Sequence, residues 1–239
     1  MEGTTYATPK IQFITQVEWN AEVIADLSTA AGRAEMVAAT LAACNGVCDG
    51  VIAGAGTMDD ALAIPVNYFG AVATLEGLRP ALTEGTNPRA IAISSNSTTT
   101  TPGLPETIVD ACLADDEARA QVLAREGYAW GYAGSKLALA RWVRRNAVSQ
   151  EWIGSGIALN AICPGVIDTP MTSGQLDFIF GIPDVFPVPV GRPGTADEVA
   201  GFLAYLLSAD AAFFCGSVLF MDGGSDAATR ADAWPAARP

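Results

Sequence analysis

Two periods of hydrophobicity alternate along the chain. Short, continuous apolar runs are separated by longer stretches with helical spacing, the pattern of parallel strands joined by crossover helices. Val51-Ile52-Ala53 is the first clear buried strand and runs into Gly54-Ala55-Gly56. Ala61 to Leu82 reads as helix, with Pro65 disturbing its start. Ala90 to Ile93 is the next strand, followed by Ser94-Ser95. Ala133 to Val148 reads as a helix whose end carries Arg141, Arg144 and Arg145, where positive charge suits the helix dipole. Ile157 to Ile162 is a strand, broken at Pro164-Gly165. Thr195 opens a helix through Leu207, with Glu198 placed to complete a capping box. Val218 to Met221 is the last strand, stopped by Asp222-Gly223-Gly224. These elements predict one α/β domain over residues 1–239, a doubly wound parallel sheet of the Rossmann type.

Three segments fit the pattern less well. Residues 96–131 hold a Thr-rich turn followed by an acidic, Ala-rich stretch read as helical. Residues 172–190 are rich in Phe, Pro and Gly with no clear period, and a loop of that length in a compact domain is usually functional or mobile. Residues 227–239 read as a weakly ordered tail.

Composition narrows the chemistry. Half of the 239 residues are hydrophobic and 16% are charged, which suits a buried core. The net charge of −13 repels phosphate backbones, so nucleic acid is not an expected partner. There is no histidine, which excludes a Ser-His-Asp hydrolase and a His-ligated zinc site. The five cysteines, Cys44, Cys48, Cys112, Cys163 and Cys215, match no metal spacing and read as reduced thiols of a cytoplasmic protein. No metal site is expected. The start lacks a signal-peptide pattern, and no uninterrupted apolar stretch has the length of a membrane span.

Chemistry concentrates in Tyr132-Ala133-Gly134-Ser135-Lys136. Residues four apart share a helix face, so Tyr132 and Lys136 stand side by side. An adjacent ammonium favours phenolate, which makes the pair a proton donor and acceptor that needs no histidine. Lysine occurs only at positions 10 and 136, which makes a chance pairing at this spacing uncommon, though an ordinary surface pair fits the spacing too. Ser95 ends a buried strand, where ligands bind in open α/β sheets, and its hydroxyl is a donor for a carbonyl oxygen; serines also end strands for structural reasons. Gly54-Ala55-Gly56 lets a flat ligand approach the backbone closely, or is simply a tight turn. Asn67 is polar in an apolar helix and either holds a water or braces the backbone.

Taken in order, these strings resemble the short-chain dehydrogenase/reductase family over roughly residues 21 to 226. The resemblance implies a catalytic tetrad of Asn67, Ser95, Tyr132 and Lys136. It implies NAD(H), with NADP(H) open, held by Asp26 and Leu27 near the adenine, by Gly54, Ala55 and Gly56, by Tyr132 and Lys136 at the ribose, and by Pro164, Gly165, Ile167 and Thr169 at the nicotinamide. Gly54 stands where the family usually has Asn. Met221-Asp222-Gly223-Gly224 matches the closing motif. The stretches Ala21–Thr29 and Val66–Ala71, with the long insert between Ser95 and Tyr132, are similar to bacterial 3α-hydroxysteroid dehydrogenase/carbonyl reductases and to coniferyl-alcohol dehydrogenases. That similarity implies oxidoreduction of a hydroxysteroid or other bulky alcohol or carbonyl. It also implies a homodimer or homotetramer with part of residues 100–128 at a subunit contact, and a 172–190 segment closing over substrate with Phe178, Phe180 and Phe186.

The start departs from the family. The Thr-Gly-x-x-x-Gly-x-Gly loop that cradles the pyrophosphate is missing, since residues 1–20 contain only Gly3. The N-terminal βαβ unit is therefore incomplete. Ile11 to Val17 reads as one strand, placing Glu18 near the position that selects NAD. The chain is either truncated upstream or a cofactor-impaired variant that acts as a scaffold or partner subunit.

Overall fold

The apolar runs marked as strands pair into one parallel sheet. The computed structural model describes residues 23–127 and 129–235, so the strand expected at residues 11–17 and Glu18 lie outside the described residues. The first elements in chain order are α1 (Ala30–Ala43), β1 (Gly50–Ala53), α2 (Asp60–Ala63), a π-helical turn (Ile64–Gly70), α3 (Ala71–Thr83) and β2 (Arg89–Ile93). The insert follows as α4 (Ser97–Thr100), α5 (Glu106–Leu113) and α6 (Glu117–Ala124), then α7 (Trp130–Asn146). The chain closes with β3 (Ala158–Pro164), β4 (Ile167–Asp168), α8 (Leu176–Gly181), β5 (Gly194–Thr195), α9 (Ala196–Leu207), β6 (Val218–Met221) and α10 (Ser225–Arg230).

The sheet order is β1-β2-β3-β6, every pair parallel, with Val51 opposite Ala90, Ala90 opposite Leu159 and Ile162 opposite Leu219. The short β4 and β5 form a separate parallel pair. The central strands β2 and β3 are buried at every position, which is why they read as continuous apolar runs. Alternate residues of β2 serve different faces. Ala90 and Ala92 turn to α3, α5 and α7 in the larger core, with Leu75, Leu139, Trp142 and Leu159. Ile91 and Ile93 turn to α9, packing with Ile162, Val199 and Leu206. Small residues lie where three helices press close, and larger ones where, among the described residues, α9 covers the sheet.

The helix from Asp60 to Thr83 runs unbroken through the π turn. Pro65 has no amide hydrogen, so the helical ladder loses a donor there and widens by one residue. By length and composition this 24-residue helix matches a membrane span, yet 61% of its apolar window is buried in the fold. α1 packs across α3 at Gly77, where a Cβ would stand 2.3 Å from Val37 Cγ2. A small cluster of Ala25, Leu27, Met36 and Ala55 pins the loop before α1 against the end of β1. Thr195 and Glu198 form the full capping box expected of α9. The tail, read from sequence as weakly ordered, begins inside α10, where Arg230 pairs with Asp226 and stacks on Phe220 and Trp234.

Candidate active site

Parallel strands end on one side, and that side gathers the expected residues. Ser94 N donates to Ile162 O at 2.8 Å, Asn96 N to Pro164 O at 3.0 Å, and Gly165 N to Met221 O at 3.0 Å, so the ends of β2, β3 and β6 are laced together. Gly165 must be glycine, because a Cβ there would lie 2.6 Å from Asp222 Cα. Gly54, Ala55 and Gly56 follow β1 on the same side, with Ala55 packed on the Leu27 cluster.

Helix α7 brings Tyr132 and Lys136 to this edge. Lys136 is buried and its Nζ donates to Ile93 O at 2.7 Å, 5.9 Å from the centroid of the Tyr132 ring. Ser94 Oγ donates to Lys136 O at 2.8 Å, which locks β2 to α7. The Ser95 hydroxyl lies beside the Tyr132 phenol, close enough to lower its pKa, and accepts from Ser97 N at 3.1 Å. The two adjacent serines thus divide the work: Ser94 braces the helix, and Ser95 faces the phenol.

The electrostatics differ from the expectation drawn from spacing. Burial raises the Tyr132 phenol above its ordinary value, with the Ser95 hydroxyl opposing. Burial also lowers Lys136 to about 8. The ammonium that was expected to acidify the phenol is itself desolvated and turned to a backbone carbonyl, so desolvation wins at both groups. Cys163, buried beside them, is pushed up to about 11 by the same cause.

Asn67 is fully buried, and its side chain is a brace. Its Oδ1 accepts from Thr57 N at 2.8 Å, and its Nδ2 donates to Thr57 O at 3.0 Å and Ser135 Oγ at 3.3 Å. Ser135 Oγ in turn donates to Tyr132 O at 2.7 Å. Asn67 therefore ties the Gly54–Gly56 turn to the helix that carries the phenol. Of the two readings of Asn67, the side chain takes the second. Ser135 was missed as a separate participant although it lies inside the Tyr-Ala-Gly-Ser-Lys string.

The remaining expected residues surround this centre. Asp26 Oδ1 accepts from Ser28 N and Oγ at 2.9 and 2.6 Å, and Leu27 is buried, its carbonyl held by Arg33 Nη1 at 3.3 Å. Ile167 is buried in β4, and the hydroxyls of Thr169 and Thr172 both donate to its carbonyl, at 3.5 and 2.6 Å. Thr169 is thus turned to the backbone. A cavity of about 310 Å³ lies beyond β3 and β6, walled by Ile167, Val188, Val190, Phe220 and Met221. Phe178 and Phe186, expected to line a pocket, stand exposed on the surface of the 172–190 segment.

The fit to a nicotinamide cofactor divides at its middle. Lys136 carries three donors and among the described residues meets one acceptor, which fits a site for ribose hydroxyls. Gly56 leaves room above them, since a Cβ there would sit 3.5 Å from Lys136 Nζ and 3.4 Å from Asn67 Oδ1. The described residues fit the nicotinamide–ribose end. The glycine-rich pyrophosphate loop has no counterpart among them.

Comparison with known proteins supports this reading. The profile of the enoyl-(acyl carrier protein) reductase family matches residues 117–226. The 3-alpha-hydroxysteroid dehydrogenase/carbonyl reductase of Comamonas testosteroni is 37% identical over 221 residues, covering 88% of this chain and 85% of its own. A 3-alpha-hydroxysteroid dehydrogenase from Pseudomonas sp. B-0831, solved in complex with NADH, superposes with a TM-score of 0.81 at 42% identity, covering 90% of this chain and 87% of its own. A Serratia marcescens short-chain dehydrogenase/reductase mutant superposes at 0.63 with 25% identity, covering 85% and 76%. With the strand-end site already in place, a relative of this identity over nearly its full length settles the lineage: the chain belongs to the short-chain dehydrogenase/reductase family.

Proposed function

We propose that the chain is an NAD(P)-dependent oxidoreductase, with NAD(H) the preferred cofactor, interconverting a bulky apolar alcohol and its carbonyl, a hydroxysteroid or aromatic compound. The observation that carries this reading is the meeting of Ser95, Tyr132 and Lys136 at the strand ends. A nicotinamide held there would supply the hydride chemistry, to the carbonyl carbon in reduction and from the alcohol carbon in oxidation. Ser95 donates a hydrogen bond to the substrate oxygen, and Tyr132 gives that oxygen its proton. Lys136 would hold the ribose hydroxyls, and Asn67 fixes the turn beside it through Thr57. Burial raises the phenol above its ordinary value, so Tyr132 holds its proton at neutral pH and has it to give to a substrate oxygen. The exposed apolar side chains Phe178, Val185 and Phe186 support a segment that covers a hydrophobic substrate. Five free cysteines support a reducing, cytoplasmic setting. A homo-oligomer is the proposed assembly, with the insert's outward Val122, 62% exposed, at the contact.

Residues 1–20, with a single glycine, favour a second reading, a cofactor-impaired family member serving as a partner subunit. One assay separates the two: following NADH absorbance against a panel of steroid and aromatic carbonyls. Consumption that depends on the carbonyl supports the enzyme. No consumption at saturating NADH, with the fold intact, refutes it. Calorimetric titration is expected to show weak NADH binding, and a tight low-micromolar site would contradict that.

A further inference from the structure

Helix α7 has no cap of its own. Its N-cap residue is Ala129, in the left-handed region at φ 59°, with no side-chain oxygen to offer. The first turn of a helix leaves amide hydrogens without intrahelical partners, and these are normally met by a serine, threonine or aspartate just before it. Here they are met by a carboxylate from another part of the chain. Asp60 Oδ2 accepts from Ala129 N at 2.9 Å, and Oδ1 accepts from Tyr132 N at 3.2 Å. Both oxygens are committed, one to the cap residue and one to the amide of the residue that carries the phenol. The approach is close enough to need Gly131, because a Cβ there would stand 2.8 Å from Asp60 O. Asp60 is free for this task because its neighbour Asp59 caps α2, accepting from Ala61 N at 2.9 Å.

We propose that Asp60 is a positioning residue for the reaction: it caps α7 from outside and fixes where Tyr132 stands against Ser95. The proposal rests on the oxidoreductase reading above. A carboxylate at a helix N-terminus is favoured by the dipole, so the contact is stable as well as directional. It also closes a circuit. The segment from Gly54 to Asp60 leaves β1, is held at Thr57 by Asn67, and ends on the helix that carries Tyr132 and Lys136.

The test compares Asp60→Ala and Asp60→Asn with the wild-type chain. Two readouts are taken: backbone hydrogen exchange over residues 129–140, and kcat and KM for NADH-dependent carbonyl reduction. Asp60→Ala is expected to speed exchange in the first turn of α7 and to cut kcat about tenfold or more, with KM changed little, because small misplacements of a reacting group are expensive. Asp60→Asn keeps one acceptor oxygen and is expected to restore part of both. If Asp60→Ala does not fold, Asp60→Asn decides, with faster first-turn exchange and a severalfold loss of kcat expected at an unchanged melting temperature. Unaltered exchange overturns the capping, and altered exchange with unaltered kcat overturns the positioning. Wild-type chain without turnover sinks the oxidoreductase reading instead, and with it the positioning role, while exchange alone then decides the capping.

Discussion

Removing the carboxylate of Glu117 should isolate a buried cation. Arg33 Nη2 and Glu117 Oε2 are 2.6 Å apart, a second bond joins Nη1 to Oε1 at 3.2 Å, and the two side chains are 10% and 25% exposed. The same guanidinium donates to Leu27 O and Pro65 O, both at 3.3 Å, and lies 5.7 Å over the Phe69 ring. One arginine thus joins the insert, the π turn and the loop holding Asp26. Breaking a buried pair from one side costs roughly 3–5 kcal/mol, because the remaining charge loses its partner in a poor dielectric. Glu117 is a quarter exposed, so water recovers part of that, and about 2–3 kcal/mol is expected for Glu117→Ala. In a chain of this size that lowers Tm by roughly 5–10 °C. Glu117→Gln keeps a neutral acceptor and should lose about half as much. Thermal and urea unfolding by circular dichroism measure both, and the Arg33→Ala, Glu117→Ala cycle isolates the coupling. A Glu117→Ala loss within about 0.5 kcal/mol of wild type would mean that the pair is screened like a surface one, and the reasoning fails.

Lys136→Met should flatten the pH dependence of stability above neutrality. The folded lysine, at about 8, lies below its unfolded value of 10.5, so the unfolded chain binds more protons between those limits. The burial penalty is therefore full below pH 8 and fades as pH rises to 10.5, a gain on the order of 3 kcal/mol that urea unfolding at several pH values detects in wild type only. Alcohol oxidation requires the Tyr132 phenolate, which burial disfavours, so its rate should climb through the alkaline range while carbonyl reduction falls; opposite slopes in a pH-rate comparison are expected. Gly77→Ala drives a methyl into Val37 and should destabilise by about 1–3 kcal/mol, and Val37→Ala in the same chain should recover most of it in thermal melts.

What the sequence discloses depends on whether a feature is local. The strands were legible because buried parallel strands must be apolar throughout, and the ranges read for β1, β2 and β6 fall within a residue of those observed. The capping box of α9 was legible because its two partners lie three residues apart. Tyr132 and Lys136 were legible for the same reason, at four. Asp60 escaped notice because its partners lie 69 and 72 positions away and no local pattern marks a cap lent by another segment. Arg33 escaped because an arginine on an amphipathic helix reads as solvated until the insert folds over it. The direction of the phenol shift was misjudged because spacing reveals a neighbouring charge but not desolvation. The pyrophosphate end is a different matter: residues 1–20 carry no glycine-rich string from which it could be read.

The central claim is that one phenol, backed by a serine and a buried lysine, transfers the proton. Replacing Tyr132 with Phe removes a single oxygen and keeps the ring, so folding should hold. Carbonyl reduction measured at saturating NADH should then fall by a factor on the order of 10² to 10⁴ in kcat. Turnover equal to that of the wild-type chain would contradict the account.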